Sequence, residues 1–247
     1  MLKNSSSVAP ALDRGLAILE SLAQTTDPLT LTQIAQRLEY SVSEIQRVVN
    51  VLRQRRYLVR DSQGAYRISS KLYRLATAYP PYSDLAARAT GAMQRFANET
   101  QESVHVGVLS DLELLIVASV EGRGLVRVNL QLGALQAATS TVSGRILLAY
   151  SGDEAIETVA EQTGLTKVAT SKLRKQLAGI KSRGYEHSKS GAVEGIQDLG
   201  VPVLTPDNQI IAGLTTTWLP FKGRGSRVKA LLPALLETAK QIATNYE

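Results

Sequence analysis

Two helix starts lie one short helix apart. Thr30 stands three residues before Gln33, and Ser41 three before Glu44. In such a box the Ser or Thr side chain accepts from the backbone N–H three residues on, and the third residue's side chain reaches back to the cap. Starts this close leave room for a short first helix, a turn at Glu39-Tyr40, and a second helix. Leu31, Ile34, Ala35 and Leu38 share a face of the first helix. Ile45, Val48, Val49 and Leu52 share a face of the second. Two short amphipathic helices of this kind form a helix-turn-helix.

The other face of the second helix carries Ser43, Gln46, Arg47 and Asn50, then Arg53 and Gln54. Arg can pair with guanine and Gln or Asn with adenine through two hydrogen bonds each, so this face suits the major groove. Residues 57–60 and 65–68 alternate like strands, with turn chemistry at 61–64. A hairpin there is a wing, and it brings Arg55, Arg56, Arg60 and Arg67 near phosphate. The candidate DNA contacts are Thr32, Ser41, Ser43, Glu44, Gln46, Arg47, Asn50, Arg53, Arg60 and Arg67. Any amphipathic helix shows polar residues outward. The combination of two capped helices, a hairpin and clustered arginines is what points to DNA.

Charge follows the same division. Of 28 Lys and Arg and 22 Asp and Glu, residues 1–82 hold 11 and 6, so nearly all the surplus of six lies in the N-terminal third. A local positive field is what non-specific DNA affinity draws on. The 247 residues contain no cysteine and two histidines, which excludes disulfides and thiol nucleophiles and argues against a transition-metal site. No cofactor is expected. The first residues lack the apolar run of a signal peptide, and no long apolar run suggests a membrane span, so a cytoplasmic location is expected.

Residues 1–9 read as a loose arm. Residues 11–24 read as a helix whose core stripe is Leu12, Leu16, Leu19 and Leu22-Ala23. Residues 70–79 read as a further helix, stopped by Pro80-Pro81. The expected division is a DNA-binding head at 1–69, a linker helix at 70–82, and a second domain at 83–247. In that domain helices are expected at 85–100, 143–150, 153–162, 171–182 and 228–246. Strands are expected at 103–109, 114–120, 126–130, 185–188, 199–204 and 210–219, with loops at 131–141 and 222–225. This is an α+β chain with a mixed, largely antiparallel sheet able to hold a small ligand on one side.

The chain resembles the IclR family of bacterial transcription regulators over nearly its whole length. In the head the resemblance rests on Leu29-Thr30-Leu31-Thr32-Gln33-Ile34-Ala35, and on Ile45-Gln46-Arg47-Val48-Val49 followed by Leu52. Beyond it rests on Thr141-Val142-Ser143-Gly144-Arg145-Ile146-Leu147-Leu148-Ala149, on Ile180-Lys181-Ser182-Arg183-Gly184-Tyr185, and on Gly195-Ile196 before Val201-Pro202-Val203. The resemblance implies a winged helix-turn-helix head, a linker helix and a GAF-like effector-binding domain. It implies homodimers through the heads and homotetramers through the second domains. The implied partners are double-stranded operator DNA and a small effector such as a sugar acid, a polyol or an aromatic compound. It places the effector at Val142, Ser143, Asp198, Thr215 and Thr217.

Two positions depart from the family pattern. Glu44 stands where Thr or Ser is usual, and it serves either as the partner half of the capping box or as an acceptor for cytosine N4. Asp198 stands where Cys is frequent. A carboxylate there disfavours a simple anion and suits hydroxyls or an amine. Thr215 and Thr217 are two apart on an expected strand and so face one side, with Thr216 and Trp218 facing the other.

Two other classes of function are open to such a chain. An enzyme needs a nucleophile, a base and an oxyanion site, and no nucleophile-elbow, phosphate-loop or dinucleotide motif is present. A purely architectural DNA binder leaves the larger, nearly neutral second domain without a purpose.

Overall fold

The computed structural model describes residues 8–78, 80–124, 127, 128, 130–191, 194–220 and 227–244, apart from the side chains of Pro80 and Pro81. The arm at 1–7, Tyr79, part of the expected strand at 126–130, the loop at 222–225 and the last residues of the final helix lie outside that set. The chain forms two compact units, Met1–Tyr79 and Pro80–Glu247.

The first unit runs α1 (Pro10–Ala23), α2 (Leu31–Arg37), α3 (Val42–Gln54), β1 (Leu58–Arg60), β2 (Tyr66–Ile68) and α4 (Ser70–Thr77). Both capping boxes form, at Thr30 with Gln33 and at Ser41 with Glu44. At seven residues α2 cannot hold itself as an isolated helix. It is held by a core of Ile18, Leu22, Ile34, Ala35, Ile45, Val49, Leu58 and Tyr66.

The core face of α1 differs from the expected stripe. Gly15, Ile18 and Leu22 turn inward, while Leu12 and Leu16 are 64% and 50% exposed. Gly15 faces Val48 of α3 on this inward side of the helix. A second apolar stripe is left outside.

Leu29 and Tyr66 exchange two backbone hydrogen bonds, at 2.9 and 2.7 Å, and so tie the hairpin to the entry of α2. In the hairpin turn the Asp61 carboxylate accepts from the backbone N–H of Gln63 and Ala65. Ser69 caps α4, and its backbone N–H donates to the Tyr57 carbonyl. Lys71 donates to the Arg55 carbonyl at 2.9 Å and lies over the Tyr57 ring. No described residue of α4 is buried, and Tyr73 and Leu75 stand 73% and 51% exposed.

Helix α4 ends at Thr77, ahead of Pro80-Pro81, and the second unit begins with α5 (Pro80–Thr100), so the pair follows one helix and opens the next, five residues before the expected start at 85. Proline is tolerated there because the first-turn N–H groups have no partner within the helix. One six-stranded sheet follows, in the order β5-β4-β3-β8-β7-β6, and every described pairing in it is antiparallel. Its strands are β3 (Ser103–Ser110), β4 (Glu113–Val120), β5 (Leu135–Ala137), β6 (Glu186–Lys189), β7 (Gln197–Leu204) and β8 (Ile210–Trp218).

Strand β5 lies inside the expected loop at 131–141, and Arg127, Val128 and Leu130 are in no strand. The edge of the sheet is thus made by a three-residue strand that apolar patterning does not mark. Helices α5 and α9 (Arg227–Thr244) cover one face through Phe96, Val104, Val106, Leu214 and Leu235, among others. The other face is covered by α6 (Val142–Tyr150), which packs with α7 (Asp153–Gln162) and α8 (Lys167–Arg183) through Ile146, Leu148, Leu177 and Ile180. Helix α8 starts one turn earlier than expected because Thr166 caps it.

Candidate functional site

In the first unit all ten candidate DNA contacts are exposed: Thr32, Ser41, Ser43, Glu44, Gln46, Arg47, Asn50, Arg53, Arg60 and Arg67. Burial of Ile45 and Val49 fixes the rotation of α3, so Ser43, Gln46, Arg47 and Asn50 face outward together.

Glu44 is already engaged. One carboxylate oxygen accepts from the Ser41 N–H at 2.8 Å and from its hydroxyl at 2.7 Å. The other accepts from Arg14 at 3.0 Å. The hydrogen bonds from Ser41 hold its pKa below the usual carboxylate range, with Arg14 adding to the effect. Arg60 donates to the Gly64 carbonyl at 3.1 Å and lies over Tyr66, which keeps its charge at the wing.

In the second unit the pocket lies between the N-terminus of α6 and the centre of the sheet. His105 of β3 is the direct cross-strand partner of Thr215, and Asp198 of β7 that of Thr217. These four side chains point to the α6 side, while Val104, Val106, Leu214 and Trp218 point into the core beneath α5 and α9. Thr216 turns away as well and donates to the Ser103 carbonyl. Ser143 reaches down from the first turn of α6. Its hydroxyl is 3.0 Å from His105 Nε2 and 2.6 Å from Thr215 Oγ1.

Val142, Ser143, Asp198, Thr215 and Thr217 therefore line one cavity, together with His105, Thr141, Ser190 and Gln136. Its volume is about 20 Å³, enough for about one water and far below that of an ordinary metabolite site.

Burial controls the charges. Desolvation lowers the His105 pKa to about 4, so the ring is neutral at physiological pH. Desolvation raises that of Asp198, against the opposing pull of the Ser190 and Thr217 hydroxyls, Arg145 and His187. Thr217 Oγ1 is buried beside this carboxylate but outside good hydrogen-bond geometry, with no partner among the described residues.

Arg145 does not line the cavity, although its charge reaches Asp198. Its Nε donates to both Glu186 oxygens, at 2.8 and 3.0 Å, and its remaining nitrogens donate to the Thr139 carbonyl and the Ser188 hydroxyl. The Thr139 contact anchors the segment that leads into α6. Gly144 and Gly191 allow that segment to pass, since a Cβ at either would collide with backbone of Ala138 or Ser140. His105, Ser190 and Gln136 are pocket residues that sequence reasoning misses, because only strand register brings them together.

A winged head with an open polar helix face, joined to a domain that encloses a polar pocket, defines a regulator that carries its DNA reader and its ligand sensor in one chain. Residues 11–62 match the IclR helix-turn-helix domain, and residues 78–244 match the C-terminal domain of the bacterial transcriptional regulator IclR. The chain belongs to the IclR family of bacterial transcription regulators.

Among its relatives is the HTH-type transcriptional regulator BhcR of Paracoccus denitrificans, 26% identical over 94% of this chain and 86% of that one. Another is the glycerol operon regulatory protein of Streptomyces coelicolor, 31% identical over 78% of each chain. These relatives are named as regulators, not enzymes. A crystal structure of an IclR homologue from Microbacterium hydrocarbonoxydans, complexed with 4-hydroxybenzoate, shares the fold with a TM-score of 0.80. It is 23% identical and covers 95% of this chain and 98% of its own. Among the described residues no helix is long and apolar enough to cross a membrane.

Proposed function

We propose that α3 reads operator DNA through Ser43, Gln46, Arg47 and Asn50, with Thr32 and Ser41 beside them and Arg53, Arg60 and Arg67 on phosphates. Glu44 serves the cap and Arg14 rather than a cytosine. Two recognition helices are needed for paired half-sites, so the regulator works as a homodimer or a tetramer. The exposed stripe of Leu12 and Leu16 on α1, with Tyr73 and Leu75 on α4, supports head-to-head pairing.

The observation that carries the effector reading is the convergence of Ser143, Thr215, Thr217 and Asp198 with a neutral His105 on one enclosed cavity. These groups offer donors and acceptors without a free cation, because Arg145 is committed to Glu186. A small hydroxylated metabolite fits this chemistry better than a simple acid. The 4-hydroxybenzoate bound to the structural neighbour carries a hydroxyl as well as a carboxylate.

A thermal-shift screen of polyols, sugar acids and hydroxylated aromatics tests the reading, since a ligand of the folded state raises its melting temperature. The hit should also change operator affinity, and Asp198→Ala should abolish that change while leaving ligand-free operator binding intact. A hit that acts equally on the Asp198→Ala protein would place the effector elsewhere.

A further inference from the structure

Helix α6 carries Ser143 to the polar cavity in its first turn and ends at Tyr150, which opens on a different cleft. The sheet leaves room for that cleft. Strand β6 pairs with Gln197–Gly200, so β7 runs on from Val201 to Leu204 without β6 beside it. Pro202, which has no N–H to give a neighbouring strand, suits such an edge. Just before β6, Gly184 ends α8 in the left-handed region, at φ 73°. Between this edge, the end of α6 and the last turns of α9 the cleft measures about 500 Å³. That lies within the range of metabolite sites, which the cavity at Asp198 does not reach.

The walls are apolar and the charge is of one sign. Tyr150, Pro202, Leu204, Leu236 and Ala239 line the cleft, and no acidic side chain does. Lys240 lines it too, and its ammonium makes no ion pair or hydrogen bond among the described residues. Lys181 holds a second ammonium over the Tyr150 ring, 5.5 Å from its centre. Burial raises the Tyr150 pKa, so the hydroxyl stays protonated, and it has no hydrogen-bond partner among the described residues. An apolar trough with two ammonium groups and an unused phenolic donor complements an apolar body that ends in a carboxylate.

We propose that this cleft is a second ligand site, for an apolar carboxylate, at the end of α6 remote from Asp198. The inference rests on neither the DNA-binding nor the effector reading. A small molecule is favoured over an added peptide strand because Pro202 and the register irregularity at Val203-Leu204 interrupt the row of backbone groups that such a strand needs. It is favoured over a second copy because two-fold pairing across this edge brings the lysines of both copies together.

The test titrates 4-phenylbutyrate, and separately its uncharged amide, into the full chain by calorimetry. The acid should bind wild type about tenfold more tightly than the amide, the gain of one charge-assisted hydrogen bond. Lys240→Gln should weaken the acid about tenfold and leave the amide unchanged, and Lys240→Arg should restore most of the loss. Leu236→Glu, at a position 46% exposed, sets a carboxylate in the cleft and should remove acid binding. Lys172→Gln removes the same charge from an exposed position of α8 and should bind like wild type. Lys240 also answers the C-terminal end of α9, so binding rather than melting temperature decides its role.

No binding of the acid to wild type at millimolar concentration overturns the proposal, as does equal binding to wild type, Lys240→Gln and Leu236→Glu. Loss of acid binding in Asp198→Ala with Lys240→Gln unaffected assigns the acid to the polar cavity and also overturns it. A smaller oligomer for Leu236→Glu than for wild type in sedimentation, with no acid bound by either, gives the cleft to a second copy instead.

Discussion

His105 Nε2 and the Ser143 hydroxyl lie 3.0 Å apart in the interior of the second unit, joining the central strand of the sheet to the first turn of α6. The contact links the floor of the pocket to its wall. It also buries an imidazole that remains neutral well below its usual titration range.

This burial sets an acid limb of stability. The unfolded histidine takes up a proton near pH 6.5 and the folded one near 4, so stability falls as pH drops through that window. At about 1.36 kcal/mol per pH unit the effect is bounded at roughly 3 kcal/mol. Asp198 and Glu186, whose pKa values burial raises, act in the opposite direction. The difference between His105→Gln and wild type isolates the histidine. Urea unfolding between pH about 7 and about 4.5 should show a shallower loss for His105→Gln, and parallel curves would refute the assignment.

Arg47→Ala should weaken specific operator binding by about 1–3 kcal/mol, the range for a bidentate pair with guanine. The side chain is exposed on α3, so the fold should be unaffected. Titration of operator at fixed salt gives the answer, and unchanged affinity removes Arg47 from the interface.

Arg145 and Glu186 form a buried pair, with side chains 9% and 5% exposed. Arg145→Ala leaves an uncompensated carboxylate and should lower stability by roughly 3–5 kcal/mol. Arg145→Met/Glu186→Leu should recover much of that loss. Chemical denaturation distinguishes the two. A double variant as unstable as the single one would mean that the Thr139 and Ser188 contacts of Arg145, not its charge, hold α6 in place.

An effector bound beside Asp198 should show a pH signature. Burial raises its pKa, so an anionic effector binds best with this carboxyl protonated and takes up a proton. Its affinity should then fall as pH rises through the raised value. A neutral polyol should show the weaker or opposite trend. Calorimetry in two buffers of different ionisation heat reads the proton directly, and zero uptake with an acidic ligand would count against Asp198 as its neighbour.

Pairing of heads through the outer stripe predicts that Leu16→Glu/Tyr73→Glu shifts the protein toward monomer and weakens operator binding. Both positions are at least half exposed in the single chain, so the unit should still fold. Sedimentation velocity at micromolar concentration measures it. An unaltered oligomer would move the interface elsewhere.

Much of the head is legible in the sequence because its signals are local. Thr30 with Gln33 and Ser41 with Glu44 fix both helix starts, and Ile45 and Val49 fix which face of α3 is free. The rotation of α1 is not local, because it depends on which side packs into the core shared with the other helices, where Ile18 and Leu22 are buried. In the second unit the alternation of β8 places Thr215 and Thr217 on one side. The pairing of His105 with Thr215 needs the register of β3, which no local pattern encodes. Strand β5 escapes notice for a related reason. Its three residues pair at a sheet edge and carry no buried face to shape their pattern.

If the effector enters the cavity at Asp198, the small size of that cavity, about 20 Å³, sets a detection threshold for the regulator. An effector of several carbon atoms would then have to select a wider form. Its apparent dissociation constant exceeds the intrinsic one by the reciprocal of the fraction of molecules already open. The cell could then hold a basal level of the compound without a response. A substitution that loosens the entry to α6 while keeping the Arg145–Glu186 pair should then sensitise the switch without touching a ligand contact.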